Sequence, residues 1–280
     1  HRGAFVFGPA ILLGLMLFAS LYSTWSASVH TGIAEELPGS LRFYEAAFSI
    51  IVAGWWAYLL VMLFFYFADA FSSDSRNNSM LFWKSMPQTD FKIFGSKMAA
   101  AATVFPAAIL LAVAISGIIA YLPALSVGTA IPGYAPPGFL DTLGAWANIM
   151  ATAIVFFALG LLWYAPFFAW VGLLSVLFRR WAIPLAFLIP VALGLAENLV
   201  TRRWSRDGGA LLSYLGERVN FRFDGLDFEM MWILGEPWNA PELIGRMVLG
   251  LDWISLVGGL AVAVILVWLA SEYRRRWVLG

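Results

Sequence analysis

AAFSIIVAGWWAYLLVMLFFYFA, residues 46–68, contains no Asp, Glu, Lys or Arg. About 20 apolar residues are enough for a helix to cross roughly 30 Å of hydrocarbon, so this stretch alone is long enough to span a membrane. Residues 3–29, 98–140, 142–178, 181–196 and 253–271 are equally free of those four residue types. The chain is 12% charged, against about 25% in soluble domains, and the deficit is concentrated in these blocks. A transmembrane β-barrel would show short alternating segments, whereas these runs are continuous. The expected class is all-α: a polytopic integral membrane protein with six transmembrane helices in a single domain over residues 1–280.

The expected spans run from about Ala4 to Trp25, Ala46 to Ala68, Met98 to Tyr121, Trp146 to Phe178, Trp181 to about Leu195, and Trp253 to Ala270. At 33 residues, or about 50 Å at 1.5 Å per residue, the fourth must tilt, emerge or bend, and Pro166 is the expected kink. Between the third and fourth, LPALSVGTAIPGYAPPGFL (122–140) is rich in Pro and Gly and reads as an outer loop with at most short turns. Residues 201–252 are long enough for a structured outer segment. There Asn239-Ala240-Pro241-Glu242 signals a helix start, and that helix is expected to run through Arg246 and Asp252 into the sixth span. LLSYLGERV (211–219) has helical apolar spacing suited to the membrane surface.

An even span number puts both termini on one side. Placing them in the cytoplasm leaves Arg2, Arg76, Lys84, Lys92, Lys97, Arg179, Arg180 and Arg274 to Arg276 inside, as the positive-inside rule prefers. Arg202, Arg203 and Arg206 oppose that orientation, although the rule weakens over a segment as long as 201–252. The chain starts at His1 and lacks the layout of a cleavable signal peptide, so some leading sequence is expected to be missing.

One inner loop of substance then remains: SSDSRNNSMLFWKSMPQTDFKIFGSK, residues 72–97. Ser79 is placed to cap a short helix from Met80 to Met86, which Pro87 would end. Thr89 or Asp90 would cap the helix that follows. The knot Met80-Leu81-Phe82-Trp83 has two readings that stay open on composition. Its rings can rest among lipid headgroups, where Trp is common, or enter a partner's groove, where buried aromatics dominate interface energy.

The stretch DSRNNSMLFWKSMPQTD followed by Ser96-Lys97 resembles the first cytoplasmic loop of bacterial ABC exporter permeases of the type-2 class, in a subgroup with a Phe-Trp-Lys-Ser-x-Pro core. Asp74, Arg76, Ser79, Phe82, Trp83, Lys84, Ser85, Pro87 and Asp90 carry the match. Weaker echoes are His1-Arg2-Gly3, Leu215-Gly216-Glu217-Arg218 and Arg274 to Arg276. The resemblance implies that 72–97 holds a coupling helix seated in a cytoplasmic ABC ATPase subunit. It also implies a homodimeric permease in the bacterial inner membrane, with ATP and Mg bound only by the partner. The chain departs from the pattern at Asn77-Asn78, where relatives carry an acidic-basic pair, so fewer ion pairs to the ATPase are expected. Relatives also begin with an amphipathic helix of which only the last residues are present here.

Other chemistries find little support. No G-x-x-x-x-G-K-[ST] loop occurs, since Gly95-Ser96-Lys97 lacks the upstream Gly. With no Cys and only two His, His1 and His30, thiolate and His-ligated metal sites are not expected. Nor is there a clustered basic face for nucleic acid. Glu35-Glu36 reads as an acidic outer loop, and the sequon at Asn77 would face the wrong side for glycosylation. Asp69 is expected at the inner interface, solvated or paired with Arg76. Glu197, beside Asn198, has two readings: a boundary ion pair with Arg202 or Arg203, or a place on a substrate path, because intramembrane acids are costly unless paired or hydrated. Trp25, Trp55, Trp56, Trp146, Trp163, Trp170, Trp181 and Trp253 read largely as an interfacial belt. The expected function is transport of an amphipathic substrate (peptide, lipid or drug-like), and the alternative is a membrane anchor or signalling subunit using the same ATPase contact.

Overall fold

The computed structural model describes residues 3–25, 39–70, 90–130, 135–178, 181–201, 209–226 and 238–278. Among them the elements are helical: α1 Gly8–Trp25, preceded by a π-helical turn at Gly3–Phe7; α2 Ser40–Ala70; α3 Asp90–Ala130; α4 Phe139–Phe178; α5 Ala182–Thr201; α6 Gly209–Val219; α7 Ala240–Leu249; and α8 Trp253–Tyr273, continued by a π-helical stretch at Arg274–Val278. Phe223 and Leu226 form a single isolated β-bridge. α1 to α5 and α8 are each long and apolar enough to cross a membrane. The chain is a multi-pass helical membrane protein.

α2 is apolar on all sides yet buries one stripe: Tyr44, Phe48, Trp55, Leu59, Leu63 and Phe67. Their spacing of four and seven keeps them on one face of a 3.6-residue helix, while Ile50, Val61 and Phe65 are exposed. A helix that meets lipid on one side has no polar face to contrast with its core face.

Two sequence expectations are corrected, and a third gains detail. Residues 122–130 are not an outer loop, because α3 continues through Pro123 to Ala130. Pro123 has no N–H to give the carbonyl of Ile119, four residues back, and the Ser20 hydroxyl donates to that carbonyl at 3.4 Å. Proline is tolerated inside membrane helices when a neighbouring side chain satisfies the released group. α7 does not run into the last span. It ends at Leu249, where Gly250 comes so close to the turn at Asp224 that a Cβ would lie 2.5 Å from the Asp224 carbonyl oxygen. Asp252 then caps α8, accepting the Ser255 N–H at 3.0 Å. The tryptophans also tie the fold together. Trp55, Trp146, Trp163 and Trp170 each pin an indole N–H to an acceptor on another element, while Trp181 and Trp253 are exposed as a belt requires.

The packing divides into two compact units, and each helix from α2 to α4 passes from one into the other. The unit formed by residues 1–60, 104–158 and 223–251 is built around the close approach of helices at Gly117. Tyr44 donates its hydroxyl to the Gly117 carbonyl at 3.1 Å. Trp146 donates to the Ala114 carbonyl at 3.1 Å, and Trp55 to the fully buried Ser116 hydroxyl at 2.9 Å. A Cβ at Gly117 would lie 2.5 Å from Trp146 and 2.6 Å from Phe48. In the same unit α7 starts at Asn239 as expected, but that side chain makes no capping bond. Asn148 of α4 takes the Ala240 N–H instead, at 3.2 Å.

The other unit comprises residues 61–103, 159–222 and 252–280. Phe67 stacks on Phe168 with centroids 5.4 Å apart, and Phe64 meets Phe187 at 5.5 Å. α8 turns Leu256, Gly259, Ala263, Val267 and Ala270 inward, and these mostly small residues let neighbouring backbones approach.

Candidate functional site

In this second unit, the last turn of α6 departs from the usual rule for an amphipathic helix. Tyr214 and Val219 are exposed, while Arg218 is only 4% exposed and is the one buried side chain among the described residues of α6. The helix is held at both ends. Glu197 Oε1 accepts the Ala210 N–H at 3.0 Å, placing a carboxylate at the positive end of the helix dipole. At the far end, Trp163 donates its indole N–H to the Arg218 carbonyl at 2.7 Å, and the Tyr164 hydroxyl donates to the Val219 carbonyl at 2.6 Å.

The Arg218 guanidinium reaches back in return. It donates to the Ser255 carbonyl at 2.7 Å and to the Trp163 carbonyl at 3.3 Å. Its Cζ lies 4.5 Å from the Trp163 ring centroid, a cation–π distance. Gly259 makes room for it, since a Cβ there would overlap the guanidinium. Among the described residues, Nε has no hydrogen-bond acceptor, and no carboxylate stands within ion-pair distance of Arg218. The nearby Asp252 carboxyl is solvent-exposed and held below the usual carboxylate range chiefly by the Ser255 hydroxyl and N–H, with Arg218 the weakest contributor. A buried cation is thus partnered by neutral carbonyls and a ring.

Arg218 and Gly259 also line a cavity of about 570 Å³, otherwise walled by apolar side chains such as Phe64, Trp170, Phe187, Leu193, Val262 and Leu266. Phe187, Leu193 and Val262 are about half exposed or more, so the cavity opens on the helix surface. Its floor includes Trp170, whose indole N–H donates to the Ala186 carbonyl at 3.3 Å. Pro190 cannot supply that bond.

Glu197 and Asn198, the residues considered for a substrate path, do not line this cavity. Glu197 holds the start of α6, and Asn198 is 5% exposed. Arg202 and Arg203, its expected ion partners, lie outside the described residues. So do Asp74, Arg76, Ser79, Phe82, Trp83, Lys84, Ser85 and Pro87, while Asp90 is the first residue of α3. Among the described residues no cluster of His, Asp or Glu is placed to hold a metal. Sequence reading left Arg218 among the outer basic residues and the weak family echoes. The signal that would have found it is an Arg in the last turn of an apolar helix, with Gly258-Gly259 in the facing span. No family model, no curated protein and no solved structure matches the chain.

Proposed function

We propose that the chain is the permease subunit of an ATP-driven ABC exporter in a bacterial inner membrane, acting as a homodimer with a cytoplasmic ATPase and with both termini cytoplasmic. The observation that carries this reading is the position of the Phe-Trp-Lys-Ser-x-Pro motif. It falls between two membrane-length helices, α2 ending at Ala70 and α3 beginning at Asp90. Force applied there passes into two long helices, and ATP-driven closure of the partner tilts them and switches access to the substrate path. The chain performs no bond chemistry. ATP and Mg are held by the partner, and the substrate is amphipathic.

The experiment is co-expression of the chain with its ATPase, followed by reconstitution into proteoliposomes. Trp83→Ala is expected to reduce co-purified, vanadate-sensitive ATPase activity without changing the melting of the membrane helices; unchanged co-purification contradicts docking at this motif. ATPase activity that rises with an amphipathic substrate supports export. Activity that ignores every substrate, with coupling intact, supports a non-transporting anchor.

A further inference from the structure

We infer that the cavity beside Arg218 binds a single-chain anionic amphiphile, with its acid head at the guanidinium and its chain along α8. Charge supplies the first argument. A guanidinium removed from water is costly unless compensated, and among the described residues Arg218 has two carbonyls, one ring and an Nε without an acceptor. A carboxylate or phosphate monoanion is the partner that its planar fork of donors fits best.

Depth supplies the second argument. α8 has 21 residues, about 31 Å at 1.5 Å per residue, which matches the hydrocarbon thickness of roughly 30 Å. Arg218 bonds to Ser255 in its first turn and lies against Gly259, whereas Arg274 to Arg276 mark the other end. The guanidinium therefore stands at the end of α8 opposite those arginines. The apolar walls lead away from it along α8 toward that other end. Gly259, Val262 and Leu266 follow one another along one face of α8 over about 10 Å. Trp170 lies equally far from Trp163 along α4, in the same direction as Ala186, which it contacts. A cavity with its charge at one end of a membrane-length helix and an apolar slot running along that helix, open on the surface at Phe187 and Val262, is shaped for a lipid-like acid entering sideways from one leaflet.

On the orientation proposed above, that leaflet is the outer one. A role for the bound acid as cargo rests on the exporter reading, but its binding does not. The test therefore uses the chain alone in nanodiscs of neutral phosphatidylcholine, with no ATPase present. The probe is a fluorescent polyene fatty acid, set against its methyl ester. The acid is expected to bind about tenfold tighter than the ester, as one charge-assisted hydrogen bond allows, and Arg218→Met is expected to erase that preference. Should Arg218→Met fail to fold, Val262→Trp fills the slot while leaving Arg218 in place, and it is expected to weaken acid and ester alike. Lysophosphatidic acid is expected to displace the probe, and inorganic phosphate is not. Equal binding of acid and ester to the unaltered chain, undiminished binding to Val262→Trp, or displacement by inorganic phosphate would each overturn the inference. None of these outcomes depends on the ATPase, so failure here is separable from failure of the exporter reading.

Discussion

Trp170 donates its indole N–H to the carbonyl of Ala186 at 3.3 Å, the carbonyl that Pro190 leaves without an intrahelical donor. One residue on a neighbouring helix thereby repairs the defect, as Ser20 does for the Ile119 carbonyl below Pro123. Trp170→Phe keeps the ring and removes the donor, so it is expected to destabilise the chain by about 1–2 kcal/mol. In a Pro190→Ala background the restored N–H serves the same carbonyl, and the cost of Trp170→Phe should shrink. The double-mutant cycle, read by unfolding in detergent, checks this. Equal costs in both backgrounds would show that the bond is not the reason.

These repairs explain what the sequence could and could not convey. The six hydrophobic blocks were legible because crossing a bilayer demands long uncharged runs, and helix termini shifted mainly by extension. Pro123 read as a loop signal because local rules treat proline as a breaker, while its remedy, Ser20, lies 99 residues away. The inward stripe of α2 was hidden because its lipid face is as apolar as its core face. Arg218 looked like an ordinary charged residue near a helix end, and only the contacts with Trp163 and Ser255 reveal its burial. The junction at Gly250 was hidden for the same reason, since its cause is the backbone of Asp224.

Gly259 has no side chain where the Arg218 guanidinium lies. Gly259→Ala is expected to dislodge the guanidinium from the Ser255 and Trp163 carbonyls at a cost of about 3 kcal/mol, the scale for disrupting a buried charge. The same change in an Arg218→Met background should be milder, because the clashing group is gone. Thermal unfolding of the four proteins decides the point.

Gly117 is a test of packing without charge. Gly117→Ala places a Cβ 2.5 Å from Trp146 and 2.6 Å from Phe48, and both rings are large and confined. A loss of about 1–3 kcal/mol is expected from overpacking. A simultaneous Trp146→Phe should recover part of that loss.

Asp252 gives a pH dependence of known sign. Its carboxyl is held low, first by the Ser255 hydroxyl and then by the Ser255 N–H. A depressed folded-state value means the contribution is complete at neutral pH and is lost as pH falls through that value, below the usual carboxylate range of about 4. Asp252→Ala is therefore expected to lower the melting temperature at pH 7, with the gap to the unaltered chain narrowing toward pH 3. A gap that is constant with pH would rule out the carboxylate form as the source.

The central claim is that the segment around Phe82 and Trp83 receives force from a motor on the cytoplasmic side. The chain contains no cysteine, so Ser79→Cys introduces a single thiol at the start of the proposed coupling helix. In membranes containing the partner ATPase, a membrane-impermeant maleimide is expected to label that thiol only from the cytoplasmic face. A short thiol-to-amine crosslinker is expected to join it to the ATPase. Labelling from the opposite face alone, or no crosslink in the assembled complex, would contradict the account.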